Sequence, residues 1–227
     1  KHKNKKIIFL YNSIVFINAG IFFSFSRTVW LGLALIFIFL SIYFFISKKL
    51  FLIKILTNSI LVWLILIGIF MPLVKTRLGI GEVQRLEAKS NTERISSIQE
   101  SSTIIKDHPL LGVGLGNYTH YLRQQDSNQP AWSYQPVHNG YLLLFAELGF
   151  IGFIILLIFN LKILKDIKDI KDVKFKILIL CLLFIIYYLL LFDHYFLTNP
   201  TMLIIYFLIL GIVHKSSIDY SLIKSYN

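Results

Sequence analysis

The chain has 227 residues, 56% of them hydrophobic, 15% aromatic and only 15% charged, with a formal net charge of +11. A mean hydropathy of +0.69 and apolar runs of about 20 residues, enough to cross a bilayer, exclude an ordinary soluble domain, in which about 25% of residues are charged. The positive balance alone would suit a nucleic-acid partner. The apolar runs make the lipid bilayer the partner instead, with no nucleic acid.

Six apolar runs follow one another: residues 7–25, 28–46, 51–71, 138–161, 175–192 and 201–213, the last starting nearer Leu197. Asn12, Asn18, Lys54 and Asn58 interrupt the first and third. Within lipid the backbone must satisfy its own hydrogen bonds, so each run is expected to be a helix. The expected fold is all-α, a polytopic membrane helix bundle of about six transmembrane helices. Residues 1–71 carry three of them, 72–137 form one large extracytoplasmic loop, and 138–227 carry three more and a cytoplasmic tail. The first run reads as a span and not a signal peptide. The chain begins at Lys1, so a segment of a longer polypeptide is expected. Cys181 stands alone, which leaves no intrachain disulfide and no cysteine-based metal cluster.

Lys and Arg in the loops set orientation. Fifteen bases, all Lys, flank one side of the spans, from Lys1, Lys48 and Lys49 through Lys162–Lys176 to Lys224. The other eight, including all five arginines, flank the opposite side. The lysine side is expected to be cytoplasmic, with both termini of this segment there. Four acids on the lysine side leave the whole +11 on it, and eight acids balance the eight outer bases. The wealth of Lys, Ile, Phe and Asn suits a low-GC bacterial genome, in which arginine kept to one side points to its planar fork. That fork grips phosphate or carboxylate through paired hydrogen bonds.

Arg27 opens the second run after a two-residue hairpin. A cation there opposes the helix dipole unless it shares an anion with it; snorkelling to lipid headgroups is the plainer alternative. In the long loop, Ser90-Asn91-Thr92-Glu93 reads as a capping box for a short amphipathic helix. Ile95, Ile98, Ser102 and Ile105 lie on one of its faces, and it should stop before Pro109. Arg94 lies in its first turn, and Glu93 is free to pair with Arg77, Arg85 or Arg123. Gly112, Gly114 and Gly116 lack the strand of a dinucleotide fingerprint, so they are read as permitting a tight path beside something bulky. His138 opens the fourth run. A helix N-terminus disfavours imidazolium, leaving a ring able to act as a general base, while a bound anion pushes the other way. Glu147 is about 13 Å further along that helix and should face protein, protonated or paired. Asp193 and His194 close the fifth run, where they could join the same site. The K-D-I repeat of 162–174 reads as a solvated loop, and Trp132, Tyr134 and Tyr141 as an aromatic belt.

The stretches SRTVWLGL around Arg27, ERISSIQESSTIIKDHPLLGVGLGNY around Arg94 and VHNGYLLLFAELGFIG around His138 together resemble the O-antigen ligase and O-antigen polymerase superfamily. The motifs cover roughly residues 26–160, and the chain resembles the family's C-terminal half. Thr28 and Val29 stand where the family often has Gly or Ala, and Ile98 where it has a tryptophan-like residue. The resemblance implies a GT-C-like membrane glycosyltransferase of the bacterial cell envelope that needs no metal or other cofactor. Its donor would be undecaprenyl-pyrophosphate-linked glycan and its acceptor another glycan, a lipid or a protein. Arg27 and Arg94 would hold the pyrophosphate, and His138 would orient or deprotonate the acceptor hydroxyl. Arg77, Arg123, Asn139 and Tyr141 are expected to extend the substrate-binding set. The low-GC composition favours a capsule or wall polysaccharide polymerase over a ligase. A transporter or flippase of lipid-linked sugars is the alternative of another class, but the chain shows no inverted halves.

Overall fold

The computed structural model describes residues 2–80 and 85–225. Among them are ten α-helices and no strand: α1 (His2–Phe23), α2 (Arg27–Ile46), α3 (Leu50–Ile69), α4 (Met71–Arg77), α5 (Arg85–Asp107), α6 (Tyr118–Gln125), α7 (Gly140–Lys168), α8 (Val173–Leu190), α9 (Tyr195–Thr198) and α10 (Pro200–Ser225). Helices α2, α3, α7 and α8 are long and apolar enough to cross a membrane, and shorter apolar stretches run through Ile8–Phe23 of α1 and Pro200–Lys215 of α10. The all-helical membrane bundle expected from the six runs is what the chain forms. The chain divides between Lys89 and Ser90, within α5, into two compact units.

In the first unit α1 and α2 both pack on α3. Asn18, one of the polar interruptions of the first run, has partners there. Asn18 is buried; its Oδ1 accepts from Trp63 Nε1 at 2.8 Å and its Nδ2 donates to the Ile14 carbonyl at 2.7 Å. An amide among apolar helices is tolerated because it is satisfied in this way. Phe22, fully buried, stacks on Trp30 at 5.3 Å and meets Trp63 edge-on at 5.5 Å. Ser26 caps α2, its hydroxyl accepting from Val29 N at 3.4 Å.

In the second unit α7, α8 and α10 share a core of Ile163, Ile167, Ile179, Leu183, Tyr206, Leu210 and Val213. This corrects the reading of 162–174 as a solvated loop. Helix α7 continues to Lys168, and Ile163, Ile167 and Ile170 are buried. The spacing of four residues puts Ile163 and Ile167 on one face of α7, with Ile170 just beyond its end, while the lysines between them stay exposed. Asp172 then caps α8, its Oδ1 accepting from Lys174 N and Phe175 N.

Helix α5 also departs from expectation. It begins at Arg85, so Ser90 lies inside it and is not its N-cap, although it ends at Asp107 ahead of Pro109 as expected. Its inward face is not the isoleucine stripe: Ile95 and Ile98 are exposed, whereas Ser97, Ser101 and Ile104 are buried. Small serines let the helix come close to Tyr118, whose hydroxyl donates to the Ser97 carbonyl at 3.4 Å.

Candidate functional site

Helix α7 is broken at Gly149, where φ is 61° and ψ −171°. A break inside a membrane helix exposes the carbonyls of one half and the N–H groups of the next, which lipid cannot satisfy. The segment after α5 fills that gap. Val113 N and Gly114 N donate to the carbonyls of Ala146 and Glu147 at 3.0 and 2.9 Å, while Phe150 N and Ile151 N donate to those of Pro109 and Leu110 at 2.8 and 3.1 Å. The bulky neighbour of the glycine-rich turn is therefore the backbone of α7. A Cβ on Gly112 would overlap the Glu147 carbonyl, and one on Gly149 that of Leu110. Glu147, expected to be protonated or paired, is buried and accepts from Tyr118 N at 3.4 Å.

This docking fixes the start of α7. Asn139 caps it, Oδ1 accepting from Leu142 N at 2.9 Å and Nδ2 donating to the Leu191 carbonyl at 2.9 Å. The Tyr141 hydroxyl donates to the Tyr187 carbonyl at 3.0 Å. Both side chains thus tie the start of α7 to the end of α8. His138, two residues ahead of α7, is held beside the turn after α8. Its Nδ1 is closed off from solvent and lies 3.6 Å from Asp193 Oδ1, an ion-pair distance longer than a hydrogen bond. The His138 side chain is 24% exposed. The His194 ring is 5.6 Å from that of His138, and its Nδ1 lies 2.8 Å from Thr198 Oγ1.

Arg94 reaches the same turn from α5, Nη1 donating to the Phe192 carbonyl at 3.0 Å. Within this unit His138, Asp193, His194 and Arg94 are therefore neighbours. Asp193 and His194 join His138, as their place at the end of the fifth run allowed. The role of the Phe192 carbonyl had no sequence signal, because every residue carries one. Arg123 is exposed in the last turn of α6. In the first unit Arg27 begins α2, and the Arg77 guanidinium lies 5.8 Å over the Phe25 ring. Tyr134 ties its own loop together by donating to the Asp126 carbonyl; the Trp132 side chain lies outside the described residues.

The electrostatics follow from this packing. Burial pushes the Asp193 carboxyl up, but the His138 imidazole and the His194 N–H outweigh it, so the group ends below its ordinary value. Burial pushes His194 down, against the pull of Asp193. An anion beside Nδ1 favours the proton on that nitrogen and leaves Nε2 as an acceptor, the arrangement a general base needs. One ligand atom from each of His138, Asp193 and His194 lies within 4.8 Å of the others, so this is the cluster among the described residues that could hold a metal ion. Two cavities adjoin the site and share Pro136: a polar one of about 470 Å³ reaching His138, and a mostly apolar one of about 760 Å³ bounded by Tyr141, Glu147, Asn160 and Tyr206.

A helical bundle long and apolar enough for the bilayer defines a membrane-integral protein, and its second unit carries a basic, imidazole-bearing and carboxylate-bearing turn at one end. The chain belongs to the O-antigen ligase family, whose profile (Wzy_C, O-Antigen ligase) matches residues 13–157. No curated protein and no solved structure matches it. Family membership makes it an O-antigen ligase or polymerase type of membrane enzyme, a glycosyltransferase acting on lipid-linked glycans.

Proposed function

We propose that the protein transfers glycan from an undecaprenyl-pyrophosphate-linked donor on the extracytoplasmic face, and that it extends a surface polysaccharide. The observation that carries this reading is the shared turn: Arg94 on the Phe192 carbonyl and His138 beside Asp193. His138 Nε2 takes the proton of the acceptor hydroxyl, whose oxygen attacks the anomeric carbon. The bond from that carbon to the pyrophosphate oxygen breaks, and the electron pair leaves with the lipid pyrophosphate. Arg94 stabilises the charge that develops there. The charge of Asp193, 3.6 Å from His138 Nδ1, favours the proton on that nitrogen and leaves Nε2 as the acceptor. The apolar cavity suits the hydrocarbon tail of the donor.

The test uses full-length protein in proteoliposomes with a lipid-linked repeat unit as sole glycan. A polymerase converts it into a ladder of longer products. His138→Ala should slow product formation about 10²- to 10⁴-fold, the usual contribution of a general base, and Asp193→Asn should fall between that variant and the parent. Arg94→Lys should not restore what Arg94→Ala loses, because Lys lacks the paired geometry. Full activity in His138→Ala would end the base role. The family description favours the ligase reading, in which product appears only when a separate lipid or protein acceptor is added.

A further inference from the structure

The polar cavity beside His138 has a chemical character of its own. Its volume of about 470 Å³ is that of a small-molecule site, and none of its described lining residues is Lys or Arg. Four of its hydroxyls give their protons to the backbone. Ser96 and Ser97 donate to the carbonyls of Glu93 and Arg94 at 3.0 Å each, Ser133 to that of Pro130 at 2.7 Å, and Tyr134 to that of Asp126. A hydroxyl has one proton and two lone pairs, so these groups offer lone pairs to the cavity. Glu100 and Asp126 add carboxylates, which accept only when ionised. The Asp126 carboxylate is fixed by Asn128 N at 3.0 Å and Gln129 Nε2 at 3.3 Å.

Gln125, Gln129 and Gln135 on the same wall carry amides that donate as well as accept, so its sign is set by the carboxylates of Glu93, Glu100 and Asp126, and a ligand that brings protons suits them. Sugar hydroxyls and ammonium groups do so. A carboxylate or phosphate in the same space would set negative charge against Glu100 and Asp126, with no Lys or Arg among the described lining residues to offset it, since Arg94 is engaged with the Phe192 carbonyl. We infer that this cavity is the acceptor subsite and that it takes a neutral or amine-bearing sugar, rejecting an anionic one. The inference rests on the glycosyl transfer proposed above, since it gives His138 at the cavity wall the acceptor hydroxyl to deprotonate. It also divides the labour by charge, with anions going to Arg94 and proton donors to this wall.

Saturation-transfer NMR on the full-length protein in nanodiscs tests it, with methyl β-glucopyranoside, glucosamine and glucuronate as probes. The first two should receive saturation, and glucuronate about tenfold less, as like-charge juxtaposition demands. Glu100→Gln combined with Asp126→Asn should narrow that gap to about twofold. Glu100→Gln alone should narrow it part of the way, which covers the case that Asp126→Asn disturbs its loop. Ser96→Trp, an exposed position on the cavity wall, should remove all three signals. Equal binding of glucuronate by the parent protein, an unchanged gap in Glu100→Gln, or sugar signals surviving Ser96→Trp would each overturn the inference. Turnover is measured separately on the same preparation. Turnover that depends on Arg94 and His138 but comes without sugar selectivity removes only this inference; selectivity without turnover removes only the transfer reading.

Discussion

At the scale of single residues, His194 links the candidate site to stability. It is 7% exposed, and burial holds its pKa below the ordinary 6.5. The unfolded chain therefore binds a proton at this residue at a pH where the native chain resists it. Stability rises with pH wherever the unfolded state binds more protons, so His194 costs nothing near neutrality and destabilises the fold as pH falls below 6.5. Asp193, held below its ordinary 3.8, contributes stability that is lost only as pH falls through that lower region. The two windows are thus separate, and the acid loss between 6.5 and about 4 attributable to this pair is that of His194. Replacing it with Gln, which can still hydrogen-bond to Thr198 but does not titrate, should flatten the pH dependence of the thermal midpoint between pH 7 and 5. A variant with the same slope as the parent would show that His194 takes up its proton without opening the structure.

At the scale of elements, the break in α7 makes a sharper demand. The Gly149 backbone at φ 61° and ψ −171° falls in a region open essentially to glycine alone, where another residue costs on the order of 1–3 kcal/mol. A Cβ there also runs into the Leu110 carbonyl, and the four backbone bonds that seal the break depend on that approach. Gly149→Ala should therefore lower thermal stability and mobilise residues 109–116, read as faster hydrogen exchange at Val113 and Gly114. Gly68→Ala in α3, where nothing lies within 4 Å, should be neutral or stabilising, since Ala is the better helix former. Equal effects from the two would mean that the break is not sealed by this segment. The same element marks the limit of what a single sequence discloses. The apolar runs were legible because a backbone in lipid has few choices. The insertion was not, because its hydrogen bonds join residues 33 or 41 positions apart and main-chain groups carry no side-chain signature; three closely spaced glycines were its one trace. The K-D-I stretch misled for another reason: its charge signalled solvent, while its isoleucines already carried the helical period. Of the candidate site, His138, Asp193 and His194 stood out as polar groups at the ends of apolar runs. The grip of Arg94 on a carbonyl could not.

At the scale of the molecule, charge and helix length together give an expectation for which side of the membrane holds the candidate site. The part of α7 beyond its break at Gly149, residues 150–168, is about 29 Å long by helical rise, enough to cross a hydrocarbon core of about 30 Å. The Asn139 end and the Lys168 end of α7 must therefore lie on opposite sides of the bilayer. Helix α8 returns from Val173 to Leu190, which is why Asp193 meets His138 again. The lysines of 162–176 are thus at the far end of this unit from the candidate site. They belong to the set of fifteen that carries the whole net charge, and a basic flank stays in the cytoplasm. The expected result is that His138, Asp193 and the polar cavity face outward. Cys181 is the sole cysteine, so a Cys181→Ser background allows one reporter at a time. Gln124→Cys, exposed in α6, and Lys174→Cys, exposed in the first turn of α8, report the two sides. On intact cells a membrane-impermeant maleimide should label Gln124→Cys at once and Lys174→Cys only after permeabilisation. The reverse pattern would put the candidate site in the cytoplasm, out of reach of a donor presented on the outer leaflet, and transfer on the extracytoplasmic face would then have to be abandoned whatever the geometry of His138 and Arg94.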